Sequence, residues 1–229
     1  MTGKPDHLTD DAGAALAESI DERIYFIRSK RWVAYPKALE ILGHLKALLK
    51  HPRTTRMPSL AVYGDSGMGK SMLVEKFKDD YALSTREKPR APRSKLLVVE
   101  LAGRPNERRL FAQILAVLGA PQNPRATIVE LERTTVRLLG DLGVQVLVLD
   151  EIHNVLAASW REQRVVFNTL RYLSNELKLS LVCFGIMEAR QAINGDVQLA
   201  RRFDSVSLPR WVAVKSSSNS SWPSYATCH

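Results

Sequence analysis

Residues 64–71 read GDSGMGKS: Gly64, four residues, then Gly69, Lys70 and Ser71, the P-loop spacing. Glycines there let the backbone curl its N–H groups around phosphate oxygens, and a helix starting at the lysine adds positive potential. The flanks agree. MPSLAVYG (57–64) is a short apolar run of strand type, and SMLVEKFKDDY (71–81) carries Leu73, Phe77 and Tyr81 at helical spacing. Strand, glycine loop and helix in that order predict a phosphate site lined by Gly64, Asp65, Ser66, Gly67, Met68, Gly69, Lys70, Ser71 and Met72. In it Lys70 reaches the β- and γ-phosphates and the Ser71 hydroxyl ligates magnesium.

A second signal lies about eighty residues on, in VQVLVLDE (144–151). An uninterrupted apolar run suits a strand buried on both faces, and this one ends in two carboxylates. Next to a phosphate loop, Asp150 can hold magnesium through water while Glu151 orients and polarises the attacking water. His153 follows closely, but with a carboxylate already in the basic role it reads as a structural or switch histidine.

From residue 57 onward the strand-type runs LAVYG, LLVVEL, VQVLVLD and SLVCFG alternate with helical stretches, which predicts a three-layer α/β fold with a parallel sheet between helices. Thr127 with Glu130 makes a capping box, and Asn106 caps a helix whose apolar positions are Leu110, Ile114 and Val117. In VVFNTLRYLSNELK (165–178), Val166, Leu170, Leu173 and Leu177 define a core-facing helix. Ahead of residue 57 lie two helical patterns, AALAESIDERIYFI and PKALEILGHLKALLK, with no strand signal between them. The organisation expected is a helical lead-in over 1–55, a core over 56–210 and an irregular tail over 211–229.

The chain of 229 residues has a net charge of +9, which favours a polyanionic partner. Cys183 and Cys228 belong to no metal-binding or disulfide pattern. No run is long and apolar enough to span a membrane, and MTGKPDHLTDD lacks a signal-peptide core, so the expected location is the cytoplasm. Cations gather in STREKPRAPRSK (84–95), at Arg86, Lys88, Arg90, Arg93 and Lys95, and again at Arg104, Arg108 and Arg109. With no aromatic platform beside them, they suit the backbone of duplex DNA better than single strands.

GDSGMGKS, LVLDEIHN, FNTLRYLSNEL, SLVCFGIMEA and QLARRFDSVSLPRW, in this order from about residue 30 to Trp211, resemble the TniB and TnsC group of AAA+ ATPases that assist transposition. The resemblance implies an oligomer, ring or filament, that binds ATP and Mg2+, assembles on duplex target DNA and recruits or activates the transposase of the same element. It also implies that Arg201 or Arg202 is the arginine finger offered to a neighbouring subunit's γ-phosphate. Two departures stand out. Ile186 and Met187 occupy the turn where related ATPases carry a polar sensor residue. The family also continues into a helical lid, whereas VAVKSSSNSSWPSYATCH (212–229) is serine-rich and aperiodic, which predicts a truncated or frame-shifted end lacking that lid. Two readings therefore stay open: a DNA-dependent ATPase, or a lid-less, non-hydrolysing binding module or assembly modulator acting through DNA or partner subunits.

Overall fold

The computed structural model describes residues 10–86, 94–121, 123–195 and 200–210; the expected tail lies outside them. Two compact units divide the chain, Met1–Val33 and Ala34–His229. In the first, α1 (Asp10–Ala15) and α2 (Ile20–Arg28) replace the single N-terminal helix expected from the pattern. The break is local chemistry: Ser19 is extended and forms a capping box with Glu22, so a new helix starts there.

The second unit begins with α3 (Pro36–Lys50), which the sequence had grouped with the lead-in. Its apolar stripe, Ala38, Ile41, Leu42, Leu45 and Leu48, is buried, and Lys46 pairs with Asp80 of α4 (Lys70–Arg86) at 2.6 Å. Burial of that stripe makes α3 part of the core rather than a leader.

Five parallel strands follow: β1 (Ser59–Tyr63), β2 (Leu96–Glu100), β3 (Val146–Asp150), β4 (Ser180–Gly185) and β5 (Phe203–Ser207), in the spatial order β2-β3-β4-β1-β5. β1, β3 and β4 are buried throughout, as their unbroken apolar runs require when both faces are covered. One face contributes Leu97, Val99, Leu147, Leu149 and Leu181 to a core with α5 (Glu107–Val117), α6 (Ile128–Leu142) and α7 (Trp160–Leu177). The expected caps form: Asn106 accepts from the Arg109 N–H, and Thr127 and Glu130 cap α6 reciprocally. On α5, however, Val117 is exposed and Phe111 and Leu115 join Leu110 and Ile114 inside. On α7, Val166, Leu170 and Leu173 are buried as expected.

Only β5 has no counterpart among the expected strands. Its sequence FDSVS is an exposed edge with polar Asp204, Ser205 and Ser207, so the hydrophobic signal of a central strand is missing. Register fixes it nonetheless, with Ser59 opposite Phe203 and Tyr63 opposite Ser207.

Candidate nucleotide site

The glycine loop leaves the carboxyl end of β1, and its conformation accounts for its glycines. Gly67 and Gly69 have φ of 80° and 87°, a region other residues enter only with strain. Nothing lies within 4 Å of a Cβ added at either, so the requirement there is conformational. At Gly64 it is steric, because a Cβ would meet Leu208 Cβ at 3.0 Å. Among the described residues, the N–H groups of Ser66, Gly67 and Gly69 donate to no protein acceptor. Together with the first turn of α4 they form an anion-receptive nest.

Lys70 is only 6% exposed, and its ammonium donates to the carbonyls of Gly64 (2.8 Å) and Asp65 (2.9 Å). A buried cation is costly unless hydrogen-bonded, and these bonds hold it inside the loop curve with one proton left to donate. Ser71 is exposed in the first turn of α4, and Met72 is half-buried behind it. Across the loop, Arg210 pairs with Asp65, so the segment leaving β5 braces the phosphate loop.

The strand carrying the carboxylates is one strand removed from β1, because β4 lies between them. β4 ends at Gly185, whose carbonyl accepts from the Gly64 N–H at 3.1 Å. A Cβ at Gly185 would come within 2.7 Å of Ile152 Cγ2. Asp150 is buried, and that burial raises its carboxyl above the usual range, while the Glu151 N–H donated to Oδ1 at 2.9 Å and the Lys70 charge pull it back. The Lys70 charge is thus near enough to act on Asp150. Its other oxygen has no hydrogen bond among the described residues. Glu151 sits at φ 57°, a left-handed position costing about 1–3 kcal/mol for a non-glycine residue. It caps the 3-10 helix Ile152–Ala157, and its carboxylate meets His153 Nε2 at 3.1 Å.

For Mg2+ the donor set fits. A hydroxyl and one buried carboxylate, the rest of the shell being phosphate and water, is what this ion takes, and Asp150 is an acid whose charge lacks a cation partner at bonding distance. No cluster of three or more His, Cys, Asp or Glu placed to hold a metal ion occurs among the described residues.

Arg201 and Arg202 stand at the opposite end of the sheet. Arg202 precedes β5, and its carbonyl accepts from the Ser59 N–H at 3.1 Å. The five residues of β1 separate that level from Gly64, about 17 Å of strand, so neither arginine reaches the chain's own phosphate loop. The two expected DNA clusters fare differently. Lys88, Arg90 and Arg93 lie outside the described residues, Arg86 ends α4, and Lys95 is exposed. Arg104 pairs with Glu162 at 2.5 Å, and the Ser159 hydroxyl and then Arg104 hold that carboxyl down at about 2. Arg108 donates to the carbonyls of Pro124 (2.8 Å) and Ala126 (2.6 Å), and the Arg109 guanidinium covers Gly103. Both Arg104 and Arg108 are thus bonded inside the chain. A further arginine, Arg53, donates to the carbonyls of Leu177, Gly143 and Val144 at 3.2–3.3 Å, satisfying the ends of α7 and α6. Met187 is exposed, and its sulfur lies 3.9 Å from the Ser207 hydroxyl.

A P-loop joined to a β2-β3-β4-β1-β5 parallel sheet, with an acidic pair at the end of β3, defines an AAA+ ATPase fold. The chain matches the family described as Bacterial TniB protein over residues 23–213, and it belongs to that family. No curated protein matches it. Among solved structures it is similar to the ORC2 protein of Aeropyrum pernix in ADPNP-ADP complexes, at 17% identity and TM-score 0.61, covering 80% of this chain and 50% of that one. Cdc6p from Pyrobaculum aerophilum is 20% identical with TM-score 0.58, covering 81% and 48%. The ORC1 protein of Aeropyrum pernix in complex with DNA is 17% identical with TM-score 0.58, covering 77% and 45%. The chain spans about half the length of these proteins. No helix among the described residues is long and apolar enough to cross a membrane.

Proposed function

We propose that the chain is an ATP-dependent accessory protein of DNA transposition: it binds ATP with Mg2+, assembles with copies of itself on duplex DNA, and in that state recruits or activates the transposase of the same element. The observation that carries the nucleotide half is the buried Lys70 ammonium inside a loop whose N–H groups are unspent, with Asp150 within its electrostatic reach. Mg2+, when held by Ser71 and Asp150, supplies charge neutralisation at the β- and γ-phosphates. The protein's own groups do the rest. Lys70 turns from the loop carbonyls to the phosphates, the loop N–H groups fix their oxygens, and Glu151, steered by His153, accepts a proton from the attacking water.

Family membership and the net charge of +9 support duplex DNA as the partner. The segment 84–95 and Lys95 are its expected surface, since Arg104 and Arg108 are occupied inside the chain. Contacts of this type are to phosphate and fall with salt. The test is a titration of a fluorescent ATP analogue and an assay of phosphate release with and without duplex DNA. Lys70→Ala is expected to abolish binding, and Glu151→Gln to keep binding and stop release. Equal turnover in wild type and Glu151→Gln would overturn the catalytic assignment, and wild-type binding without turnover on DNA would favour the non-hydrolysing binding module.

A further inference from the structure

In the first unit, α2 has five apolar residues among its nine and buries none of them. Ile20 is 73% exposed, Tyr25 77% and Ile27 75%. The helix is held at its ends instead, by the Ser19 and Glu22 capping box and by the Ser29 N–H donated to the Tyr25 carbonyl at 2.8 Å. A helix this short without a packed face is marginal in water, so its apolar residues call for a cover. At about 100° per residue they divide between opposite faces. Ile20, Ile24 and Ile27 form one stripe, with exposed Arg23 and Arg28 on its two flanks. The other face carries Glu22, Tyr25 and Phe26, which with Asp11, Ala15 and Glu18 line a groove of about 370 Å³ between α1 and α2. Arg31 lies over the Phe26 ring at 3.4 Å and donates to the Phe26 carbonyl, so its charge is spent within the unit. Among the described residues no ion pair engages Arg23, Arg28, Asp11, Glu18 or Glu22. One face is thus apolar between cations, and the other is apolar between carboxylates.

We propose that the isoleucine stripe of α2 docks in the groove between α1 and α2 of a second copy of this chain, with Arg23 and Arg28 meeting Asp11, Glu18 and Glu22 at its rim. The two surfaces match in apolar character and oppose in charge, which fixes partner and orientation. They cannot meet within one copy, because they lie on opposite sides of the same helix. An acidic peptide would suit the stripe and a basic one the groove, but a second copy uses both at once. A contact between unlike patches is heterologous and repeats from copy to copy. This rests on the reading that copies of the chain assemble, and it adds a contact that needs no nucleotide. One short helix makes a small interface, so the contact is weak alone and gains from repetition within an assembly.

The test is sedimentation of the full chain over a range of concentrations, with and without ATP, together with denaturation midpoints and duplex affinity. Wild type and Lys70→Ala are both expected to self-associate without ATP. Ile24→Asp should weaken that association by about tenfold to a hundredfold, the worth of burying one such side chain, with the midpoint unchanged. Arg23→Glu combined with Arg28→Glu should weaken it too, as should Asp11→Lys combined with Glu18→Lys. Mixing these two double variants should restore it, since each offers the other an opposite charge. A wild type that stays monomeric without ATP, association that ignores Ile24→Asp, or a mixture no more associated than its components would overturn this contact. A lower midpoint for Ile24→Asp with association intact would overturn it as well, by placing the stripe against the chain's own second unit. So would loss of duplex affinity in the arginine variant with association intact, which would make the arginines a DNA contact. Association without ATP and no further assembly with it would uphold the contact and sink the nucleotide-dependent reading.

Discussion

The two ends of the sheet are built on opposite electrostatic plans. At the carboxyl end Lys70 rests on two carbonyls, Glu151 on His153 and Asp65 on Arg210. At the amino end Arg202 is anchored on Asn175, one turn beyond Arg171 on α7, with no carboxylate at ion-pair distance from Arg56 or Arg202 among the described residues. One end pairs its charged groups within the chain; the other leaves the arginine leading into β5 without a carboxylate partner among the described residues. On the proposed self-assembly, such unlike ends would join head to tail, which gives rings if the rotation closes and filaments if it does not. β5 spans both, carrying Arg202 at its start and leading to Arg210 against the phosphate loop at its end.

The largest effect that would sharpen this contrast is loss of the finger. If Arg202 is the finger that the family resemblance implies, Arg202→Ala is expected to lower DNA-stimulated turnover by about 10³–10⁵ while ATP titration gives wild-type affinity, because the missing group would serve another subunit's site. Weakened ATP binding to the isolated chain would instead put Arg202 in the chain's own site. Glu151→Gln acts at the other end and should lower phosphate release by about 10²–10⁴ with binding preserved, as removal of a general base does.

Smaller effects probe how the carboxyl end is packed. Gly185→Ala places a Cβ 2.7 Å from Ile152 Cγ2, and the overpacking should destabilise the fold by about 1–3 kcal/mol in denaturant titration, with the 3-10 helix beside Glu151 absorbing the shift. Asp150→Asn should act the other way. Burial raises the Asp150 pKa, so whatever stability this group contributes is present in full below its unfolded pKa and is lost as pH rises through the folded one. At pH 7 the buried charge is a cost. Asparagine removes it, so the denaturation midpoint should rise at pH 7, with the gain vanishing as pH falls below the carboxylate range. A lower midpoint at pH 7 would contradict the buried-charge account.

Much of the carboxyl end was legible in the sequence because its chemistry is local. A phosphate loop, its helix and an acidic strand end are contiguous patterns, and four strands announced themselves as apolar runs. The place of β4 between β3 and β1 was not legible, since strand order comes from nonlocal pairing. The amino end was largely hidden. FDSVS has the polar composition of an exposed edge, and Arg56 lies more than a hundred residues in sequence from both Arg171 and Arg202. Arg108 looked like a DNA contact because its bonds to the Pro124 and Ala126 carbonyls, in the loop before α6, leave no trace in residue spacing. The split at Ser19 was written in the S-x-x-E capping box, a signal that the continuous helical pattern obscured.

Mixing two inactive variants tests the central claim most directly. Lys70→Ala chains lack a working phosphate loop but keep Arg202; Arg202→Ala chains keep the loop but lack the finger. If a site is completed across a subunit boundary, each variant alone should be nearly inactive, and an equimolar mixture on duplex DNA should regain a substantial part of wild-type ATP turnover. A mixture no more active than the sum of its two components, under conditions where both variants co-sediment, would contradict the account.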